Sequence, residues 1–117
     1  MTLRRMKTYT GEQGYVYQYY FVGKRPTKEE KAATEYVFDV TSDRKTTYSV
    51  SVFLEQEVVQ AWGIRHGRPL NDAEQYGAVK MRLFRAFDEI EDMMAKGRRL
   101  MVEAAQLEEL LGALGVE

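Results

Sequence analysis

The run Tyr15-Val16-Tyr17-Gln18-Tyr19-Tyr20-Phe21-Val22 decides the fold. It is almost wholly aromatic or β-branched, which suits a pleated, half-buried surface better than a helix, so it reads as a strand. Successive side chains of a strand point to opposite faces, which places Tyr15, Tyr17, Tyr19 and Phe21 on one side and Val16, Tyr20 and Val22 on the other, with Gln18 as that side's polar member. A strand that is apolar on both faces is covered on both: it is central in its domain, or a second subunit completes it.

Downstream, Gly23, Pro26 and a string of charges separate this strand from Glu35 to Thr41, where Tyr36, Phe38 and Val40 alternate with Glu35 and Asp39. That alternation predicts one buried face and one wet face. Ser42-Asp43-Arg44-Lys45 follows as a tight hairpin loop, because Ser and Asp side chains hydrogen-bond their own backbone in turns. Thr46 to Phe53 forms the next strand, with Tyr48, Val50 and Val52 on one face and Thr47, Ser49 and Ser51 on the other. The sheet therefore occupies residues 14–54 as a three-stranded antiparallel meander, or a four-stranded one if Met6 to Tyr9 adds a short strand. Residues 1–13 otherwise read as a flexible lead-in.

After Leu54 the period changes from two to about 3.6. Leu54, Val58, Val59 and Trp62 share one stripe, which predicts a short helix over 55–64 ended by Gly63, then a loop through Arg65-His66-Gly67-Arg68-Pro69. Asn71 or Asp72, with Glu74 or Gln75 three residues on, has the form of a capping box. A long helix over 71–96 follows, its apolar stripe running through Tyr76, Val79, Leu83, Phe87, Ile90 and Met94. Gly97 is a cap or a bend, and Leu100, Ala104, Leu107, Leu111 and Leu114 predict a last helix over 98–114. The expectation is one α+β domain over 14–117, with two or three amphipathic helices packed on one face of the sheet.

Composition sets limits on chemistry. The 117 residues are 44% hydrophobic and 30% charged, ordinary values for one globular domain. The absence of cysteine removes disulfides, thiolate metal sites and cysteine nucleophiles. Seventeen basic against eighteen acidic residues leave no overall field toward nucleic acid or anionic lipid. No apolar run approaches the ~20 residues that cross a bilayer, so no membrane partner is expected and a cytoplasmic location is the default. No cofactor is called for, since Gly63 and Gly67 lack the Lys-Ser/Thr ending or the third glycine of a nucleotide cradle.

His66 is the single histidine, set among Trp62, Arg65 and Arg68, where an imidazole could serve as a general base or bind an anion. A base also needs an orienting carboxylate and a nucleophile, and the sequence fixes neither nearby; a solvated loop histidine is the simpler reading. Asp88, Glu89, Glu91 and Asp92 cluster without any calcium-loop spacing and read as a wet helix face rather than a metal site. Lys80, Arg82 and Arg85, with Arg98 and Arg99, could make a basic stripe beside stacking tyrosines, yet acidic residues are as frequent on the same helices.

Three functions follow, in order. The first is a non-enzymatic homodimeric binding or assembly module, with Leu100, Leu107, Leu111 and Leu114 at the interface, since the final helix holds more leucine than one contact needs. The second is a small-ligand binder or enzyme with a pocket between sheet and helices, lined by Tyr17, Tyr19, Tyr48 and Trp62 and approached by Arg65, His66 and Arg68. The third is single-stranded nucleic-acid binding.

Overall fold

The computed structural model describes residues 6–117. Four strands follow one another as an antiparallel meander: β1 (Lys7–Thr10), β2 (Val16–Thr27), β3 (Ala33–Thr41) and β4 (Tyr48–Glu55). Helices α1 (Gln56–His66), α2 (Asp72–Glu89) and α3 (Met93–Lys96) come next, then β5 (Arg99–Val102) and α4 (Ala104–Ala113). The sheet order is β1-β2-β3-β4-β5. Among the described residues no helix is long and apolar enough to cross a membrane.

The α+β class and the meander stand, with two corrections. The described sheet has five strands rather than three or four, and it is mixed, because β5 pairs parallel to β4 with Leu100 opposite Val52 and Val102 opposite Leu54. Leu100 satisfies a helical stripe and a period of two equally well. What selects the strand is burial of both Leu100 and Val102 while Arg99 and Met101 face out, together with the bond from the Ser51 amide to the Arg98 carbonyl at 2.8 Å. The last helix consequently starts only at Ala104, where Glu103 and Gln106 form a capping box.

The helix-facing side of the sheet is the core. Tyr17 and Tyr19 of β2, Tyr36, Phe38 and Val40 of β3, and Tyr48, Val50, Val52 and Leu54 of β4 are buried there, as the alternation predicts. The long helix lies across them on its apolar stripe. Phe87 stacks on Tyr17 at 4.2 Å between ring centroids, Phe84 meets Tyr19 edge-on at 5.4 Å, and Tyr76 meets Phe21 at 4.9 Å. Leu107, Leu110 and Leu111 of α4 complete this core. A bulge between Phe21 and Gly23 shifts the register of β2 against β3, so that Gly23, Arg25 and Thr27 face away from the helices beyond it.

The turns show why the elements end where they do. In the β3–β4 hairpin the Asp43 carboxylate accepts the Lys45 and Thr46 amides, both at 2.8 Å, while Arg44 takes a left-handed φ of 64°. Helix α1 runs past Gly63 to His66, because the left-handed cap falls at Gly67 (φ 74°), where the amide bonds back to the Gly63 carbonyl. Helix α2 starts with the predicted capping box, Asn71 with Glu74, but stops at Glu89 rather than running on to Lys96. Its end carries no basic residue, the cluster Asp88, Glu89, Glu91 and Asp92 opposes the negative end of the helix dipole, and Asp92 caps the separate turn α3 instead.

Strand β1 is tied to α2 through one of those carboxylates. Asp88 accepts the Tyr9 hydroxyl at 2.6 Å and the Glu12 amide at 3.0 Å, and the same bond pushes the Tyr9 phenol up to about 12. A side chain on Gly11 would come within 2.7 Å of Asp88 Oδ1 and so displace the carboxylate from the Glu12 amide. Within the expected lead-in, then, Lys7–Thr10 is a paired strand, and residues 1–5 lie outside the described residues.

Candidate functional site

The corner around Trp62 gathers most of the charged residues singled out in the loop. Trp62 is fully buried on the inner side of α1, His66 one turn on stacks over its ring at 4.0 Å and 14°, and the Arg68 guanidinium stands 5.1 Å from the ring centroid. Glu108 of α4, 42 residues away, supplies the carboxylate that local sequence did not: Arg65 donates to it at 2.9 Å and His66 Nε2 sits 3.0 Å from both its oxygens. Those two contacts, Arg65 first, hold the Glu108 carboxyl below its usual range. The imidazole is thus engaged on one side by a ring and on its Nε2 by a carboxylate, and among the described residues no hydroxyl is bonded to it. The arrangement clamps α1 to α4 and offers no base-nucleophile pair.

Arg68 makes a second clamp, a two-pronged pair with Glu74 at 3.0 and 2.9 Å that ties the α1–α2 loop to the start of α2. The guanidinium first, and the Asn71 amide second, lower the Glu74 carboxyl from 4.5 to about 2. A carboxyl depressed in the folded state contributes stability that is complete above its unfolded value and lost as pH falls through the folded value. Acid titration followed by circular dichroism should therefore show stability lost between about pH 4.5 and 2, and a Glu74→Gln variant, weaker at neutral pH, should lose less over that window. Parallel curves for the two proteins would show that this pair contributes nothing to folding.

The tyrosines expected beside Trp62 lie elsewhere. Tyr17 and Tyr19 are buried beneath α2, packed on Phe87 and Phe84, and Tyr48 is buried at the start of β4. A groove of about 560 Å³ does touch the Trp62 neighbourhood, but on the solvent side of α1, along Val59, Gly63, Ile64, Arg68 and Pro69. The final-helix leucines are placed with equal clarity: Leu100, Leu107 and Leu111 are consumed by the chain's own core, and only Leu114 is exposed. Of the basic residues, Arg82 donates to the Met101 carbonyl at 2.9 Å, Arg85 pairs with Glu109 and Arg99 with Glu29, which leaves no continuous cationic stripe through them. The described residues hold no group of three or more acidic or histidine side chains placed to bind a metal ion.

The largest feature without a role inside the domain is the sheet face turned away from the helices. The β-register sets out its rows: Tyr20, Asp39 and Ser49; then Gly23, Val37, Ser51 and Arg99; then Arg25, Glu35, Phe53 and Met101. Val16, Val22 and Met101 on this face are 44, 49 and 43% exposed. Val16, Tyr20 and Val22 are the residues whose alternation marked a second apolar face in the sequence. At its centre Glu35 is buried, accepting Arg25 Nε at 2.8 Å and the Ser51 hydroxyl at 2.6 Å, and these bonds, Ser51 first, lower its pKa. Beside it Phe53 is covered by Arg99, whose guanidinium lies 4.5 Å from the ring centroid and reaches Glu29 at 3.5 Å. Nothing lies within 4 Å of where a Gly23 side chain would begin, so this position beside Val22 and opposite Val37 opens onto free space. Sequence reasoning missed Glu35 and Phe53 here, because a glutamate in a wet-face position signals exposure and only the fold brings Arg25 and Ser51 to it. No protein-family model, curated protein or solved structure matches this chain.

Proposed function

We propose that the chain is an assembly module that works as a homodimer, joined through the open face of its sheet. The observation that carries this reading is the exposure of Val16, Val22 and Met101, spread across a face that no helix among the described residues covers, with open space at Gly23 beside Val22. A glycine inside a strand weakens it and marks a place where another backbone or ligand comes close. The size is suitable as well: 37 strand residues at ~3.3 Å rise and ~4.8 Å spacing give roughly 590 Å² of projected face, against the ~800 Å² per partner of a standard interface. Both signs of charge are present at its margin, Arg25 and Arg99 with Glu29, so a two-fold axis can set each sign against its opposite. The final helix, the interface expected from its leucines, has its buried leucines committed to its own core, and the open face takes that role in this reading.

A Gly23→Arg variant tests it. The new side chain enters open space within its own subunit, so the fold should survive, as checked by an unchanged melting transition. Light scattering behind size exclusion should give a dimer for the natural chain and a monomer for Gly23→Arg, with Val22→Lys giving the same result. A natural chain that remains a monomer at high concentration would sink the proposal.

A further inference from the structure

Two lysines, Lys24 and Lys80, lie over a continuous path of aromatic rings along the seam where α2 meets β1, β2 and β3, on the helix side of the sheet, and Lys7 of β1 stands at its end. Lys24 Nζ stands 5.8 Å from the Tyr36 ring centroid, and Tyr36 meets Tyr76 at 6.4 Å. Lys80 Nζ lies 5.9 Å from Tyr76 and 5.8 Å from Phe84. Phe84 meets Tyr19, and Tyr19 is the strand partner of Lys7. Lys7 and Tyr9 are two residues apart and so share a face of β1, and Tyr9 stacks on Phe84 at 4.4 Å. Lys7 on β1 therefore stands at the edge of the ring cluster that Lys80 of α2 lies over, close enough for its charge to act on Lys80.

Their charges are not balanced locally. Lys24 has Asp72 at 3.9 Å, whereas neither Lys7 nor Lys80 forms an ion pair among the described residues. Burial first, and the Lys7 charge second, hold the half-buried Lys80 ammonium below the ordinary lysine range. Two like charges converging on a half-buried surface are unfavourable alone and become favourable with a shared counter-ion. A dianion suits two ammonium groups better than a single carboxylate, and lysine binds phosphate as a point charge with three freely rotating donors.

We propose that the β1–α2 seam is a phosphate site in which Lys7 and Lys80 together hold one dianionic phosphate group, free or carried as a monoester. The half-buried rings of Tyr76 and Phe84 flank it with an apolar wall against which the organic part of a monoester would rest. This site is on the opposite side of the sheet from the open face, so it stands or falls independently of dimer formation.

The full chain, carrying ¹³C-labelled lysine side chains, is titrated with inorganic phosphate and separately with phenyl phosphate, with chloride holding ionic strength constant. Saturable shifts are expected at Lys7 and Lys80 and not at Lys28 or Lys45, with an affinity in the millimolar range and a rise in the Lys80 pKa toward that of an ordinary lysine. Lys7→Ala and Lys80→Ala should each weaken binding about tenfold, the loss of one charge-assisted contact. Tighter binding of phenyl phosphate would identify a monoester as the ligand, and equal binding would identify the phosphate group itself. No shift, or a non-saturating drift that is the same at Lys28 and Lys45, overturns the site. Should Lys80→Ala fail to fold, the natural chain and Lys7→Ala decide the matter.

Discussion

Replacing Phe87 with alanine is expected to destabilise the fold by about 3–5 kcal/mol. Phe87 sits at the centre of the α2 stripe, 3% exposed, and its ring lies flat on Tyr17 at 4.2 Å with an interplanar angle of 5°. Tyr9 meets the same ring at 5.8 Å, so one side chain joins β1, β2 and α2. Truncation leaves both tyrosines facing a void that the sheet closes only in part, since the paired backbone of β2 cannot move in to fill it. Urea unfolding read by circular dichroism gives the number, and the slope of the transition should stay constant if only stability changes. A loss under ~1 kcal/mol would mean that α2 does not bury this face.

Trp62→Ala is expected to cost a similar amount, about 3–5 kcal/mol, for a different combination of reasons. The indole is fully buried, His66 and Arg68 both rest on its ring, and through their pairs with Glu108 and Glu74 these residues hold α1 to α4 and to the start of α2. Its Nε1 has no hydrogen-bond partner among the described residues, so Trp62→Phe orphans no acceptor and should cost much less than alanine. Because this is the single tryptophan, unfolding of both variants is followed by circular dichroism. Equal losses for phenylalanine and alanine would show that the indole N–H makes a bond that matters to the fold.

These two positions also show how much the sequence reveals. Phe87 was legible because six apolar residues keep helical phase from Tyr76 to Met94, a pattern long enough to outweigh local accidents. Trp62 was legible as a helix residue, but the pairing of His66, which stacks on it, with Glu108 was not, since a pair 42 residues apart leaves no mark in either local segment. Strand β5 was hidden for another reason. Four residues are too few to separate a period of two from a period of 3.6, and the leucines that follow continue a helical phase through Leu100. The stop of α2 at Glu89 had a signal, four carboxylates at the wrong end of a helix dipole, but the apolar stripe running on through Ile90 and Met94 outweighed it in the reading.

For the candidate sites the sequence was informative about surfaces and poor about pairings. Val16, Tyr20 and Val22 announced a second apolar face on β2, and the fold leaves that face open. The leucines of the last helix looked like an interface because sequence counts apolar residues without showing how much core remains to be filled. Here the helix-facing side of the sheet takes Leu107, Leu110 and Leu111 entirely. The convergence of Lys7 and Lys80 was out of reach from sequence, as it depends on β1 being a paired strand tied to α2 through Tyr9 and Asp88.

The most direct test of the homodimer reading is an isotope-filtered NOE experiment on an equal mixture of ¹³C-labelled and unlabelled chains. Cross-chain contacts are predicted at the methyl groups of Val22 and Val37 beside Gly23 and of Met101 at the β5 side of the same face, and not in the buried core under α2. An absence of cross-chain contacts at those methyl groups, in a sample where the mixed chains have had time to exchange, would contradict assembly through the open face.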